Sequence, residues 1–579
     1  GGEGLSGFGE AFFYNCTRLR NVAIPKNAAF DEIGDYAFFG CTGILSLPAA
    51  GNIKVIGKYA YASSGIAGDL KIPSGVKSIG ERSFAVCPGI TSVDITSATE
   101  VGSGAFSACE NLKSVSFDTL SVPEECFSYC GALENVTLAS AGDITLGKSA
   151  FAGTPLFTGA GADVVYVGNW LLGCVSKTMQ GKTVADGTVG IADFALAGCE
   201  TFDDVLTLPN SVKYIGASAF ADCKKLTGVI LGSGVVRLGQ DAFNGCAALT
   251  GVYLGEYDRI SGGLGRSSLT EIGKYAFSNC TSLAAAEIPG SVKQIGMRAF
   301  RNTAIYNNAE REAYAGNWLV DCKNNGSYGT VSVKDGTVGI ADAAFYECKG
   351  ITAVVIPDSV RAIGVSAFSG CKALESVVLP TELTEIQDYT FYHCDELALP
   401  ELPVTLIRIG KSAFYKCRLV SETDEGEENR LVIPAGVREI GPFAFYGCTY
   451  TYTDRATAEQ KDGGMDILIL GNGVVTVGER AFSGIVTLRQ VTIGSGVRSL
   501  GDKAFYKCTG LRAVTFGESL QTIGSKAFYG CSALEACLPP LPKSGPTRST
   551  AASRLRRWNS AARFAWEIPH FWDVSESVS

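Results

Sequence analysis

The stretch IGKSAFYKC, residues 409–417, decides how this chain is read. Variants recur from one end to the other: IGDYAFFGC at 33–41, IGASAFADC at 215–223, IGVSAFSGC at 363–371 and IGSKAFYGC at 523–531. Between copies lies a second phrase, such as ITAVVIPDSV at 351–360. Together they spell L-x-x-V-x-I-P-x-x-V-x-x-I-G-x-x-A-F-x-x-C. Placed in register on the Phe, the phase runs from Phe13 and Phe38 through Tyr61 and Leu196 to Phe528, giving 20 copies, with 23 residues the commonest spacing.

A period this short means stacked supersecondary units with neighbour contacts only, not several separate globules. L-x-x-V-x-I is β-rich and is ended by Pro or Gly, which mark a corner. V-x-x-I-G is a second extended segment, and x-x-A-F-x-x-C is expected to form a short helical or 3₁₀ turn. Strands of successive coils should pair in parallel, with Leu, Val, Ile, Phe and Cys inside. The fold class expected is a β-rich repeat solenoid over residues 1–537, roughly 100 Å long at about 4.8 Å per coil. The phase is interrupted at 151–196 and 300–345, and each gap should hold one further degenerate coil. The first gap reads YVGNWLLGC then VADGTVGIADFALAGC; the second reads YAGNWLVDC then VKDGTVGIADAAFYEC. The flanking Phe positions keep an offset of 149 residues, so a block of several coils is duplicated. Trp170 and Trp318 stand at equivalent places and should fill the core of a wider coil.

Apolar residues make up 46% of the 579 positions and charged residues 18%, enough for a continuous interior. The net charge of −9 argues against a nucleic-acid or anionic-membrane surface, which needs a basic face. There is no apolar run of transmembrane length, and no signal peptide is visible. The chain begins at Gly1, close to the first repeat, and reads as a fragment or processed product. Of the 20 Cys, 16 fall three residues after the phase position. Such regularity points to a ladder of small buried thiols rather than a disulfide framework.

Chemistry is harder to find. His393 and Cys394 are adjacent, but a Cys–His pair needs a base placed by a third group, and here the Cys is a ladder position and the His a variable one filled elsewhere by Lys, Gly or Asp. Cys126 and Cys130 lack the partner pair of a zinc site. The loop 421–430 carries Glu422, Asp424, Glu425, Glu427 and Glu428 in no calcium-loop spacing and reads as solvated. Two further insertions, 255–268 and 449–464, should bulge from the surface. Sequons at Asn15, Asn135, Asn279 and Asn325 carry little weight, two of them spanning ladder Cys residues. Residues 538–579 lose the repeat and hold Trp558, Trp566, Trp572 and a basic cluster at Arg554, Arg556 and Arg557. They read as a non-repeat, disordered tail, with a cap over the last coil as the alternative.

The residue between Val and Ile in V-x-I should point outward. In order it is Ala23, Ser46, Asp94, Ser116, Thr137, Thr207, Ile230, Tyr253, Glu287, Val355, Val378, Val432, Ile469, Thr492 and Thr515. The early members are small and polar. From Ile230 to Ile469 they are largely apolar, which fits either strand propensity or a partner-binding stripe at Ile230, Tyr253, Val355, Val378, Val432 and Ile469.

The recurring I-G-x-x-A-F-x-x-C and L-x-x-V-x-I-P phrases resemble the BspA-type leucine-rich repeat, over about residues 5–537. That resemblance implies a right-handed leucine-rich-repeat solenoid and a cell-surface or secreted protein that adheres to protein or glycan partners on host or other cells. It carries no catalytic residues, no cofactor and no metal. An intracellular interaction scaffold is the alternative, favoured by the many free thiols.

Overall fold

Each coil contributes two short strands and a turn, and every element pairs with its counterpart one period away. The computed structural model describes residues 6–538 apart from 23–29, 48–51, 96–99, 118–120, 139–144, 157–162, 203–204, 259–262, 324–325, 327–328, 399, 420–428 and 454–459. The chain divides into two compact units, Gly1–Val292 with Ala299–Ala304, and Lys293–Arg298 with Ile305–Ser579.

In the first unit the I-G segments pair in parallel as Gly7–Phe8, Glu32–Ile33, Val55–Ile56, Ser78–Ile79 and Glu100–Val101. The V-x-I segments form a second parallel sheet from Gly68–Lys71 through Ile90–Asp94 and Ser114–Phe117 to Asn135–Leu138. The same two ladders reappear over Gly190–Ile191 to Glu271–Ile272 and over Leu206–Thr207 to Gly251–Tyr253. In the second unit the I-G ladder runs from Glu385–Ile386 to Thr522–Ile523, and the V-x-I ladder from Arg430–Val432 to Ala536–Leu538. The β-rich solenoid read from the repeat is thus observed in each unit.

The third segment shows why A-F-x-x-C is invariant in spacing. Its backbone amides alternate between two partners. In the coil of Phe391, Tyr389 N, Phe391 N and His393 N donate to Lys411 O, Ala413 O and Tyr415 O of the next coil, at 2.8, 2.8 and 2.9 Å. Thr390 N, Tyr392 N and Cys394 N instead close i→i−3 turns within the coil. Those are the bonds of a 3₁₀ turn, but the turn cannot propagate, because the residues two before and two after the Phe are left-handed. Tyr389 (φ 58°) and His393 (φ 55°), Ser412 (51°) and Lys416 (57°), and Lys503 (56°) and Lys507 (57°) all show this. A left-handed residue with a Cβ costs roughly 1–2 kcal/mol. The three cross-coil bonds it makes possible offset that cost. Among the described residues the one α-helix is Ala304–Asn307.

Inside, the Phe rings stack along each unit. Centroids are 5.0 Å apart for Phe38–Tyr61, 5.4 Å for Phe84–Phe106, 5.3 Å for Phe391–Phe414 and 5.2 Å for Phe414–Phe445. Near-parallel planes at such separations are offset stacks, the arrangement the ring quadrupole favours. The Cys three residues on is buried and donates its thiol to the carbonyl of the preceding coil's Phe. Cys394 Sγ lies 3.1 Å from Phe368 O, Cys417 Sγ 2.9 Å from Phe391 O, and Cys448 Sγ 3.0 Å from Phe414 O. That same carbonyl also accepts from the ladder Cys amide of its own coil, so both lone pairs are used. Where Cys is replaced, Ser64 keeps the position buried and polar, and Thr154 and Thr303 turn back onto their own coil's Phe151 and Phe300 carbonyls. All 20 cysteines are free thiols.

The two GNWL segments, expected to hold one degenerate coil each, form hairpins. Val164–Val167 and Trp170–Cys174 form an antiparallel hairpin, as do Glu312–Ala315 and Trp318–Cys322. The return strand then pairs in parallel with the next I-G segment, so Leu171 takes the Ile position beside Ile191. Gly168 and Gly316, at φ 56° and 53°, make the reversals. Trp170 and Trp318 are buried, as expected, and each lies across the glycine opposite it. A Cβ on Gly190 would meet the Trp170 ring at 2.5 Å, and one on Gly339 would meet the Trp318 ring at 2.5 Å. The hairpin tyrosines reach the same motif: Tyr166 OH accepts from Ala185 N at 3.0 Å, and Tyr314 OH from Lys334 N at 3.1 Å. This is why YxGNWL and DGTVGIAD occur together twice.

Three outcomes test this packing. Gly190→Ala forces its methyl into the indole and should cost about 1–3 kcal/mol, and Trp170→Leu in the same chain should recover part of it; equilibrium denaturation of the four variants reads the coupling. Thiol reagent should label exposed Cys16 at once and half-buried Cys537 more slowly, and reach the buried ladder only in denaturant. Burial pushes Cys130, Cys199 and Cys531 from 9.0 up to about 12. Below 9 folded and unfolded chains both hold these protons, so the thiols leave stability flat. Between 9 and about 12 only unfolded thiols ionise, so stability falls as pH rises, by about 1.4 kcal/mol per pH unit per thiol. Melting temperature against pH should therefore drop beyond 9, and less steeply once Cys371, Cys394 and Cys417 are Ala.

Candidate partner-binding face

The V-x-I strand buries alternate residues and turns the others to solvent. In the second unit Leu431, Leu468, Val491 and Val514 are buried, while their neighbours Val432, Ile469, Thr492 and Thr515 lie on the outer face. Parallel pairing puts equivalent residues side by side. Ser332 pairs with Val355 and Val355 with Val378; Val432 pairs with Ile469 and Ile469 with Thr492. In the first unit Thr207, Ile230 and Tyr253 align, and Tyr253 bridges to Glu287. The residues picked out by counting are therefore true neighbours, roughly 4.8 Å apart along each ladder.

Their exposure differs between units. Val355, Val378 and Val432 are 42%, 57% and 50% exposed. Ile230 and Tyr253 are half-buried. At Tyr253 and Glu287 the insertion at 255–268 folds back instead of bulging away. Tyr257–Asp258 and Gly263–Leu264 make a small hairpin. The Tyr257 ring sits 4.7 Å from that of Tyr253, and Leu264 N donates to the Glu287 carboxylate at 3.4 Å. Asn210 donates to Glu256 at 2.9 Å from the other side. In this unit the insertion itself occupies the outer face, whereas the valines of the second unit stand open.

Other candidates do not converge. His393 lies outside, with Nδ1 at 3.1 Å from Asp395 Oδ1, while the neighbouring Cys394 thiol points inward. Cys126 is buried beside Phe127, and Cys130 is a ladder thiol. Among the described residues no group of three or more His, Cys, Asp or Glu gathers to hold a metal ion. The insertion at 449–464 forms an antiparallel hairpin, Thr449–Thr453 with Gln460–Gly464. Asn279 is left-handed (φ 61°) with its amide held between Asn244 and Asn302, and Cys280 beside it is fully buried. The carboxylates Glu422, Asp424, Glu425, Glu427 and Glu428, Asn325, Ala23, and the tail residues Arg554, Arg556, Arg557, Trp558, Trp566 and Trp572 lie outside the described residues.

One surface feature escaped the sequence reading. Directly after the Phe, several coils of the second unit carry Tyr, and these rings stack on the outside of the turn. Tyr392–Tyr415 and Tyr415–Tyr446 are each 4.9 Å apart. Burial, then the phenols of Tyr446 and Tyr392 beside it, raise the Tyr415 hydroxyl. His393 packs edge-on to Tyr392 at 4.6 Å. The signal was present as A-F-Y in place of A-F-S or A-F-A, but one variable position beside a strong motif is easily passed over.

The profile of the BspA type leucine rich repeat region matches six copies, over residues 2–111, 54–159, 189–309, 322–430 and 461–541. Among solved structures the chain is similar to a leucine-rich repeat protein from Bacteroides ovatus, at 20% identity over 79% of this chain and 91% of that one, with TM-score 0.26. It is similar to a leucine rich repeat protein of T. pallidum at 24% identity, over 42% of this chain and 86% of that one, with TM-score 0.28. A leucine rich cell surface protein from Faecalibacterium prausnitzii matches at 19% identity, over 96% and 85%, with TM-score 0.20. No curated protein matches. The stacked I-G, V-x-I and A-F-x-x-C ladders, with a profile match along most of the chain, place this protein in the BspA-type leucine-rich repeat family.

Proposed function

We propose that the chain is a non-enzymatic adhesion module that binds a macromolecular partner, protein before glycan, through the outer face of its V-x-I ladder. The observation that carries this reading is the open pair Val355 and Val378, adjacent on parallel strands, with Val432 exposed in the same unit. Isolated exposed valines are ordinary on strands, but an aligned apolar row on an otherwise polar chain suits a partner's apolar surface. Ile469 lies beside Val432 in half-buried form, and Ile230 and Tyr253 hold the equivalent outward position in the first unit, also half-buried. The family resemblance supports a cell-surface or extracellular setting. Among the described residues no helix is long and apolar enough to cross a membrane.

The free thiols favour an intracellular scaffold only weakly. A thiol that is buried and held protonated reacts slowly in any compartment, so an oxidising exterior is compatible with the ladder. Surface labelling of intact producing cells with an antibody to the folded chain separates the two settings.

Beads coated with the folded chain should adhere to a panel of matrix proteins or epithelial cells. Val355→Lys with Val378→Lys should abolish that adhesion while the thermal melt stays within a few degrees, since both side chains already face water. Adhesion retained by the double variant would remove the row as the binding face.

A further inference from the structure

The tyrosine row of the second unit lies beside lysines that rest on rings rather than in ion pairs, with Lys411 also hydrogen-bonded to the Tyr389 hydroxyl. Around it the carboxylates are taken. Asp388 pairs with Arg408 at 2.7 Å and accepts from Lys411 N at 2.8 Å. Asp395 faces His393 at 3.1 Å and Lys372 at 3.9 Å. Glu396 pairs with Arg418 at 3.5 Å, and Glu479 with Arg480 at 3.6 Å. Lys411 and Lys416, by contrast, pair with no carboxylate among the described residues. They rest over rings instead, Lys411 Nζ at 5.6 Å from Tyr389 and Lys416 Nζ at 5.9 Å from Tyr415. Farther along, Lys507 and Lys526 do the same over Tyr506 and Tyr529, at 5.5 and 5.6 Å. The turn ridge thus presents lysines outside ion pairs on a chain whose net charge is −9.

We propose that this ridge is a second docking surface, and that it takes an acidic polypeptide segment whose carboxylates alternate with apolar residues. Two features select that partner. The unpaired lysines call for anions. Tyr415 has a ring on each face, so the middle of the row presents its edge and hydroxyl rather than an open face. Aromatic edges beside cations match apolar and acidic side chains of a protein, where Tyr is a rigid anchor of low ordering cost. The interior does not demand these tyrosines, because Ser369 and Ser483 occupy the same position in neighbouring coils with the Phe stack intact. The ridge is distinct from the valine row, which lies on the strand face.

The test measures binding of a dye-labelled peptide of alternating glutamate and leucine to the full chain by fluorescence anisotropy, at low and high salt. Saturable binding that weakens with salt is expected, with a glutamine–leucine peptide binding far less. Lys411→Glu with Lys416→Glu should weaken it about tenfold, the worth of two partly exposed charge pairs, and Lys→Arg at both sites should retain it. Tyr415→Ser should also weaken it with the thermal melt preserved, and Val355→Lys with Val378→Lys should leave it unchanged. Equal binding of the neutral peptide, undiminished affinity in the charge-reversed chain, or tighter binding of heparin or single-stranded DNA would each overturn the assignment.

Discussion

Every second amide of the A-F-x-x-C segment donates to the following coil, and the remainder of the structure depends on that alternation. A strand achieves the same result by extension, but extended chain cannot turn a corner. Here the corner is turned by left-handed residues two places either side of the Phe, and the freed amides become a third cross-coil ladder. Three ladders fix the step between coils, so the Phe rings, thiols and aliphatic residues must recur at the same height. The sequence period follows from the bonding period.

That constraint explains the choice of Cys. The site beside the stacked rings is narrow, and it faces a carbonyl one coil back that has a lone pair to fill. Ala would fit and leave the lone pair without a partner; Ile485, buried at this position after Phe482, fills it but cannot donate. A thiol is small, tolerates an apolar environment and still donates. The same geometry shields thiols such as that of Cys448, which burial raises and which is turned toward the Phe414 carbonyl. A close approach elsewhere selects glycine: a Cβ at Gly410 would meet Asp388 N at 2.6 Å, which accounts for the Gly of I-G.

Much of this was legible, because buried repetition leaves a strong periodic signal. Phe phase, Cys ladder, parallel pairing and the outward V-x-I position could all be counted from the chain. The left-handed turns could not, since Tyr, Arg, Lys and Ser occupy them and no propensity marks them; the bonds to the next coil, not the residues, impose the conformation. The GNWL hairpins did carry a signal, Gly-Asn between apolar runs, a known hairpin turn. The expectation of one more degenerate coil hid it. The fold-back of 255–268 over Tyr253 was hidden differently, because composition shows that a segment is polar but not where it lands.

Surfaces diverge where interiors cannot. The position after the Phe accepts small buried residues such as Ala85 and Ser107 in the first unit, and Ser369 and Ser483 in the second. Tyr at Tyr392, Tyr415 and Tyr446 therefore adds nothing the ladder requires. It does add a continuous stack on the outside, built automatically because the core already spaces adjacent coils at ring-stacking distance. A solenoid of this kind converts any repeated surface residue into a row. One substitution is a point on the surface, and three in register are a binding element whose spacing the interior has set in advance.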